Sequence, residues 1–471
     1  MVPSPRPADR AVPAPAAPAL GAEIAFEVAD DAGRPIEGAA VSLIGAAFPT
    51  TVFTDASGRA EARVPLEAMT TATALIVHPA RGCWPVRVPR PELLVNEANL
   101  TVCPRITTTH PDFPDRPLDS WGRRVMGFDR LPPSYRGHAT RIALIDSGVA
   151  AGHPDLTERI PAGRDIVGQD DKSWQEDHIG TGTHHAVLIA GRDDGTGVVG
   201  LAPDAEVHVC RVTPGGWAAD LIEALDFCVE QQIDVALIAC AIPEPSALVA
   251  AKIDEARRSG VACVAAAGDA AGPIHHPAAL PGVLSVGAIG QLGTFPADSA
   301  EITQLAAAPS PEGLFPARFS NGGPGLDCSA PGVAIISGLP PTSYGPLSGT
   351  ATAAAHVAAV AALVLAHHPM FRPESGRPQI TRDSTRVDRL FEVIKASCRP
   401  LPHLDPRLTG AGIPDAAVAV GVAPWGTHTP LPVAYSAATG PLSPADPGGG
   451  TLAPLTDAMR AAGLLTGQDE S

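Results

Sequence analysis

The sequence lacks an apolar run long enough to cross a bilayer. Its longest, Val357 to Ala366, stops at His367-His368, well short of the roughly 20 residues a spanning helix needs. Behind Met1 there is no apolar leader segment either. The stretch Val2-Pro3-Ser4-Pro5-Arg6-Pro7 opens a Pro/Ala tract, so no secretory signal is expected and a cytoplasmic location is. The eight cysteines, at 83, 103, 210, 228, 240, 263, 328 and 398, contain no C-x-x-C spacing, which argues against zinc ribbons and dithiol redox motifs and for buried thiols. Cys83 and Cys103 are the one pair that neighbouring strands could bring face to face, and a reducing compartment would leave that bridge unmade. Basic residues are scarce. The 33 Lys and Arg against 50 Asp and Glu leave a charge of −17, which disfavours nucleic acid and anionic membranes as partners. Chelating histidines at i, i+4 are missing too: His184-His185, His275-His276 and His367-His368 are adjacent pairs that point apart. No metal and no cofactor are expected.

Proline and glycine are plentiful, 51 and 47 residues, yet 45% of the chain is hydrophobic. That suffices for a large core in one big domain plus something smaller. Residues 1–21 and 423–471 are rich in Pro, Ala and Gly without apolar periodicity and read as tethers, with a short amphipathic helix around Leu455 to Leu465.

Residues 22–105 consist of short β-rich runs punctuated by turns, among them Ile24 to Val28, Ala40 to Leu43 and Thr54-Asp55-Ala56-Ser57-Gly58. They read as a small all-β sandwich. The wording Gly33-Arg34-Pro35-Ile36-Glu37-Gly38-Ala39-Ala40-Val41-Ser42-Leu43 resembles the transthyretin-like or bacterial Ig-like domains of carboxypeptidase regulatory and Cna-B type. Such modules space or bind. A Pro-rich linker is expected over 106–117, and a second domain over 118–422. There apolar strands (Arg141 to Ile145, Ala205 to Val212, Val235 to Ile242, Ala262 to Ala267, Leu284 to Ile289) alternate with helical stretches (Thr183 to Gly191, Ala218 to Gln231, Ala247 to Gly260). That alternation predicts an α/β doubly wound, mostly parallel sheet covered on both faces.

Several phrases in this second domain resemble the subtilisin-like serine proteases in order and spacing. They are Ala143-Leu144-Ile145-Asp146-Ser147-Gly148-Val149, Gly200-Leu201-Ala202-Pro203-Asp204-Ala205, Phe319-Ser320-Asn321-Gly322, Leu347-Ser348-Gly349-Thr350 with His356-Val357-Ala358, and Gly410-Ala411-Gly412-Ile413-Pro414-Asp415. The resemblance implies a seven-stranded parallel sheet and a Ser-His-Asp site with an Asn oxyanion donor. Asp146 occupies the Asp position. At the His position the chain carries Thr181, whose hydroxyl cannot act as a base near neutrality. At the Ser position it carries Ala351, with no heteroatom. Asp269 stands in place of the oxyanion Asn, reversing an interaction worth about 3–4 kcal/mol. Helix geometry is expected to point His184 and His185 elsewhere. Ser348, Thr350 and Thr352 are expected not to substitute, because a one-residue shift turns a side chain about 100°. Asp155 matches a position that helps hold calcium in some relatives, but the remaining ligands are not recognisable.

Three altered site positions and the drifted surroundings fit natural degeneration better than a designed knockout. The sequence therefore predicts a pseudoprotease, a non-enzyme whose cleft edges, Thr213-Pro214-Gly215 and Ala239-Cys240-Ala241, hold an extended peptide by main-chain hydrogen bonds. Its expected partner is a peptide or protein, such as an active protease or a precursor peptide, in a hetero-oligomer. Two alternatives remain open: an endopeptidase with a displaced base or a partner's residues, and a structural module whose N-terminal β-domain does the binding.

Overall fold

The computed structural model describes residues 21–45, 50–168, 170, 172–242, 244–372 and 381–427. The expected helix at 455–465 and most of both tethers lie outside them. The chain forms two compact units: residues up to 80 with 85–103 make the smaller, and 81–84 with 104 onward the larger.

The smaller unit is β-rich. Strands β1 (Gly21–Asp30), β4 (Arg59–Pro65) and β7 (Asn99–Cys103) form one sheet in the order β4-β1-β7. Strands β2 (Ala40–Ile44), β3 (Thr50–Phe53), β5 (Ala74–His78) and β6 (Val86–Pro89) form another in the order β3-β2-β5-β6. Burial alternates along β4, with Ala60, Ala62 and Val64 inside and Arg59, Glu61 and Arg63 outside, the period-2 pattern of a sheet with one wet face. The unit is not purely β, since a short helix, α1 (Leu66–Thr71), follows β4.

In the larger unit an eight-stranded sheet runs β14-β13-β12-β11-β8-β10-β9, with β15 also paired to β13. Its members are β8 (Arg141–Asp146), β9 (Ala162–Asp165), β10 (Glu206–Arg211), β11 (Val235–Ile238), β12 (Ala262–Ala266), β13 (Val283–Gln291), β14 (Leu314–Pro316) and β15 (Cys328–Pro331). Every pairing is parallel except that of β14, which joins β13 antiparallel. The implied seven parallel strands are thus present, and β14 makes the eighth. Along β8 the side chains alternate between two cores: Ile142 and Leu144 face one, Ala143 and Ile145 the other. A strand covered on both faces needs no polar residue until it leaves the sheet, and β8 stays apolar until Asp146.

One face is covered by α2 (Thr181–Ala190) and α5 (Thr350–His367), the other by α3 (Ala218–Glu230) and α4 (Ala247–Arg258). A further helix, α6 (Ser384–Ala396), packs beside α5. Helix α5 is buried at every position except Ala351 and His367, which explains its all-round apolar sequence. It begins at Thr350, earlier than the apolar run suggested. By length and composition it would suit a membrane, but 89% of it is buried as a core helix. The segment expected to be a linker is packed instead: Ile106 and Phe113 lie in the core of the larger unit at 2% and 6% exposure, because both apolar side chains find a place beside Trp84 there.

Candidate functional site

Three strands deliver the site at their carboxyl ends, where parallel sheets open a crevice. Asp146 ends β8, Ala239–Ala241 follow β11, and Ala267–Asp269 follow β12. Helices α2 and α5 supply the remaining groups.

Helix α2 is anchored by the buried Asp177, whose carboxylate accepts the N–H groups of Ile179, Gly180 and Thr183 and the Thr183 and Ser147 hydroxyls. Gly180 takes φ +99° at the turn into the helix, a conformation a side chain would strain. The anchoring directs Thr181 back toward β8. Its Oγ1 donates to Asp146 Oδ1 at 2.7 Å, so a hydroxyl contacts the carboxylate where the resemblance places an imidazole. Ser147 N–H donates to the same oxygen at 2.7 Å.

The other carboxylate oxygen is taken by a residue expected to point away. His185 Nδ1 lies 2.7 Å from Asp146 Oδ2, and His185 Nε2 lies 3.1 Å from Thr352 Oγ1. This overturns the expectation that helix geometry points His185 away from Asp146. His185 sits one helical turn after Thr181, on the same face of α2, and an imidazole spans the depth between Asp146 and α5. An Asp–His–hydroxyl chain therefore exists, but below the cleft. Asp146, His185 and Thr352 are 4%, 1% and 2% exposed, while Thr181 and Ala351 above them are half-buried.

Burial alone would raise the Asp146 carboxyl. The His185 imidazole and the hydrogen bonds from His185, Thr181 and Ser147 outweigh it and hold the group below the usual carboxylate range. With Asp146 ionised, His185 Nδ1–H donates to it. His184, also expected to point elsewhere, donates Nε2–H to the Ile335 carbonyl at 2.7 Å. Burial, with a smaller contribution from His185, drops it to about 3, and burial drops His356 to about 4. Both are neutral structural groups.

Asp269 is exposed, yet one of its carboxylate oxygens is bound to the protein's own chain. Its Oδ1 accepts Thr350 N–H at 2.9 Å and Thr350 Oγ1 at 2.7 Å, while Gly268 N–H donates to Thr350 Oγ1 at 3.1 Å. The carboxylate thus sits at the positive N-terminal end of α5, a natural seat for an anion. Asn321, fully buried, holds the loop in shape by accepting Ala270 and Gly272 N–H and donating to the Ala267 carbonyl. Sequence reasoning noted its motif without assigning it this role.

Of the two expected cleft edges, neither is a strand. Residues Thr213-Pro214-Gly215 form a tight turn closed by Gly216 N–H on the Val212 carbonyl at 2.7 Å, and Thr213 N–H already donates to the Asp146 carbonyl. A cis Thr213-Pro214 bond and Gly215 at φ +138° set the turn. Ala239, Cys240 and Ala241 run on from β11 outside the strand, Ala239 N–H still donating to the Ile145 carbonyl of β8 at 3.2 Å; the first two are half-buried and Ala241 is exposed. Burial of the Cys240 sulfur, with the Asp146 charge nearby, pushes its thiol up to about 12, so it is no thiolate nucleophile. Ser348 is also occupied: it donates to the buried Glu301 at 2.7 Å and accepts Ala334 N–H. Burial raises Glu301 to about 7. Among the described residues no cluster of metal-ligating side chains occurs.

An aspartate closing an inner strand of a mostly parallel sheet, opposite the first turn of a buried Ala-rich helix, is a subtilisin-like α/β arrangement. Residues 137–396 match the subtilase family, peptidase S8, and the chain belongs to that family. It is 31% identical to Subtilisin E of Bacillus subtilis over 265 residues, covering 55% of this chain and 63% of that protein. It is 30% identical to Subtilisin of Bacillus pumilus over 265 residues, or 88% of that protein, and 33% identical to M-protease of Shouchella clausii over 237 residues, or 56% of it.

Proposed function

We propose that this subtilase is a pseudoprotease whose cleft binds a peptide or protein without hydrolysing it, serving as a scaffold or regulatory subunit. The observation that carries this reading is Asp269. Its carboxylate caps Thr350 at the head of α5, so a developing oxyanion would meet an acceptor where stabilisation requires a donor. Thr181 and Ala351 support it, because the cleft-facing surface then offers neither base nor nucleophile. Recognition would rest on the segment 239–241, whose backbone leaves β11 with the Ala239 N–H engaged by the Ile145 carbonyl and Ala241 exposed. No cofactor enters this reading.

An endopeptidase with a displaced base is the second reading, favoured by the Asp146–His185–Thr352 chain. Burial of that chain and the Asp269 charge weigh against attack on a bulky peptide carbonyl.

The test uses the purified full chain and a fluorescein-labelled casein digest. Anisotropy should rise on binding, the rise should vanish in Ala241→Trp, and the peptides should stay intact by mass spectrometry. Cleavage that disappears in Thr352→Val would overturn the pseudoprotease reading in favour of the displaced-base peptidase.

A further inference from the structure

Beneath the cleft the relay is complete in connectivity. His185 Nδ1 lies 2.7 Å from Asp146 Oδ2 and Nε2 lies 3.1 Å from the Thr352 hydroxyl, the connectivity that makes a hydroxyl nucleophilic when Nε2 carries no proton. Packing alone does not call for it. A buried ionic pair is often no more stable than apolar side chains of the same volume, and from Ala353 to Ala366 the buried face of α5 is apolar except at His356. Both altered positions have a counterpart close by: the imidazole reappears four residues after Thr181 and the hydroxyl one residue after Ala351.

We propose that Thr352 is a nucleophile for small uncharged acyl donors, such as acetate esters, taking up the acyl group as a threonine ester. Thr352 Oγ1 attacks the acyl carbon while its proton passes to His185 Nε2. The ester C–O bond then breaks, and the leaving oxygen takes that proton from His185. Water, deprotonated by His185, later releases the acid and restores the hydroxyl. Exposure of 2% at Thr352 limits the donor to a small one. Once formed, the acyl group fills the space through which water must reach His185, so release is slower than acylation and the acyl-threonine accumulates.

The experiment treats the full chain with p-nitrophenyl acetate and maps acetylated peptides by mass spectrometry. Acetyl should appear on Thr352 with a stoichiometric burst of nitrophenolate. It should persist in Thr352→Ser, vanish in the isosteric Thr352→Val, and form on the order of 100-fold more slowly in His185→Gln. Acetylation confined to lysines, or a burst unchanged in Thr352→Val, overturns the proposal. Casein-peptide binding by Thr352→Val reports separately on the cleft, whose exposed surface that substitution leaves intact.

Discussion

At the scale of single residues, the site turns on how one carboxylate is shared. Asp146 gives Oδ1 to Thr181 and Ser147 N–H, and Oδ2 to His185. Removing His185 would leave a buried charge short of its main partner, the costly way to break a pair. His185→Leu should therefore lower unfolding free energy by about 3 kcal/mol in urea titration. Thr352→Val, which strips one hydrogen bond from the His185 ring, should cost about 1 kcal/mol. The same sharing predicts that restoring the family constellation by Thr181→His, Ala351→Ser and Asp269→Asn will recover little peptidase activity, because His185 still holds Oδ2. Adding His185→Val should raise casein-peptide hydrolysis at least tenfold over the triple variant. Equal rates would show that His185 does not compete for Asp146.

At the scale of elements, α2 and α5 owe their placement to carboxylates at their N-termini, Asp177 and Asp269. Asp269→Ala should cost about 1–2 kcal/mol, the range of a lost cap, with Asp269→Asn recovering most of it. Element identity was legible in the sequence. The strand ending at Asp146 and helices 218–230 and 247–258 follow from apolar periodicity, and Thr181 lies on the Asp146 carboxylate, in the place that the family resemblance gives to an imidazole. What stayed hidden was reach. Fixed 100° steps ruled out Thr352, yet an imidazole one turn along α2 bridges the gap that a rigid rotation leaves. The available signal was the i, i+4 relation of Thr181 and His185 together with a hydroxyl inside a helix otherwise apolar on its buried side. The turn at 213–215 was missed because extended cleft edges were carried over from a resemblance rather than read from Pro214 and Gly215-Gly216.

For the whole molecule, buried titratable groups set opposing pH limits. His184 and His356 titrate at about 3 and about 4 in the folded state against an ordinary 6.5. The unfolded chain thus binds more protons below pH 6.5, and their contribution to stability is lost as pH falls from there. Glu301 works the other way. Its folded value of about 7 lies above the ordinary 4.5, so its contribution is full below 4.5 and lost as pH rises through 7. Glu301→Gln should become progressively more stable relative to the parent chain as pH rises from 4.5 to 7, by roughly 2–3 kcal/mol in total, converting the shift at 1.36 kcal/mol per unit. Parallel denaturant titrations at several pH values read this directly.

The pseudoprotease reading is tested most directly by prolonged incubation of the purified full chain with a casein-peptide mixture, followed by mass-spectrometric counting of new termini against an Asp146→Asn control. The account predicts bound but intact peptides, with no excess of termini over the control. An excess over that control, growing linearly with protein concentration, would contradict it.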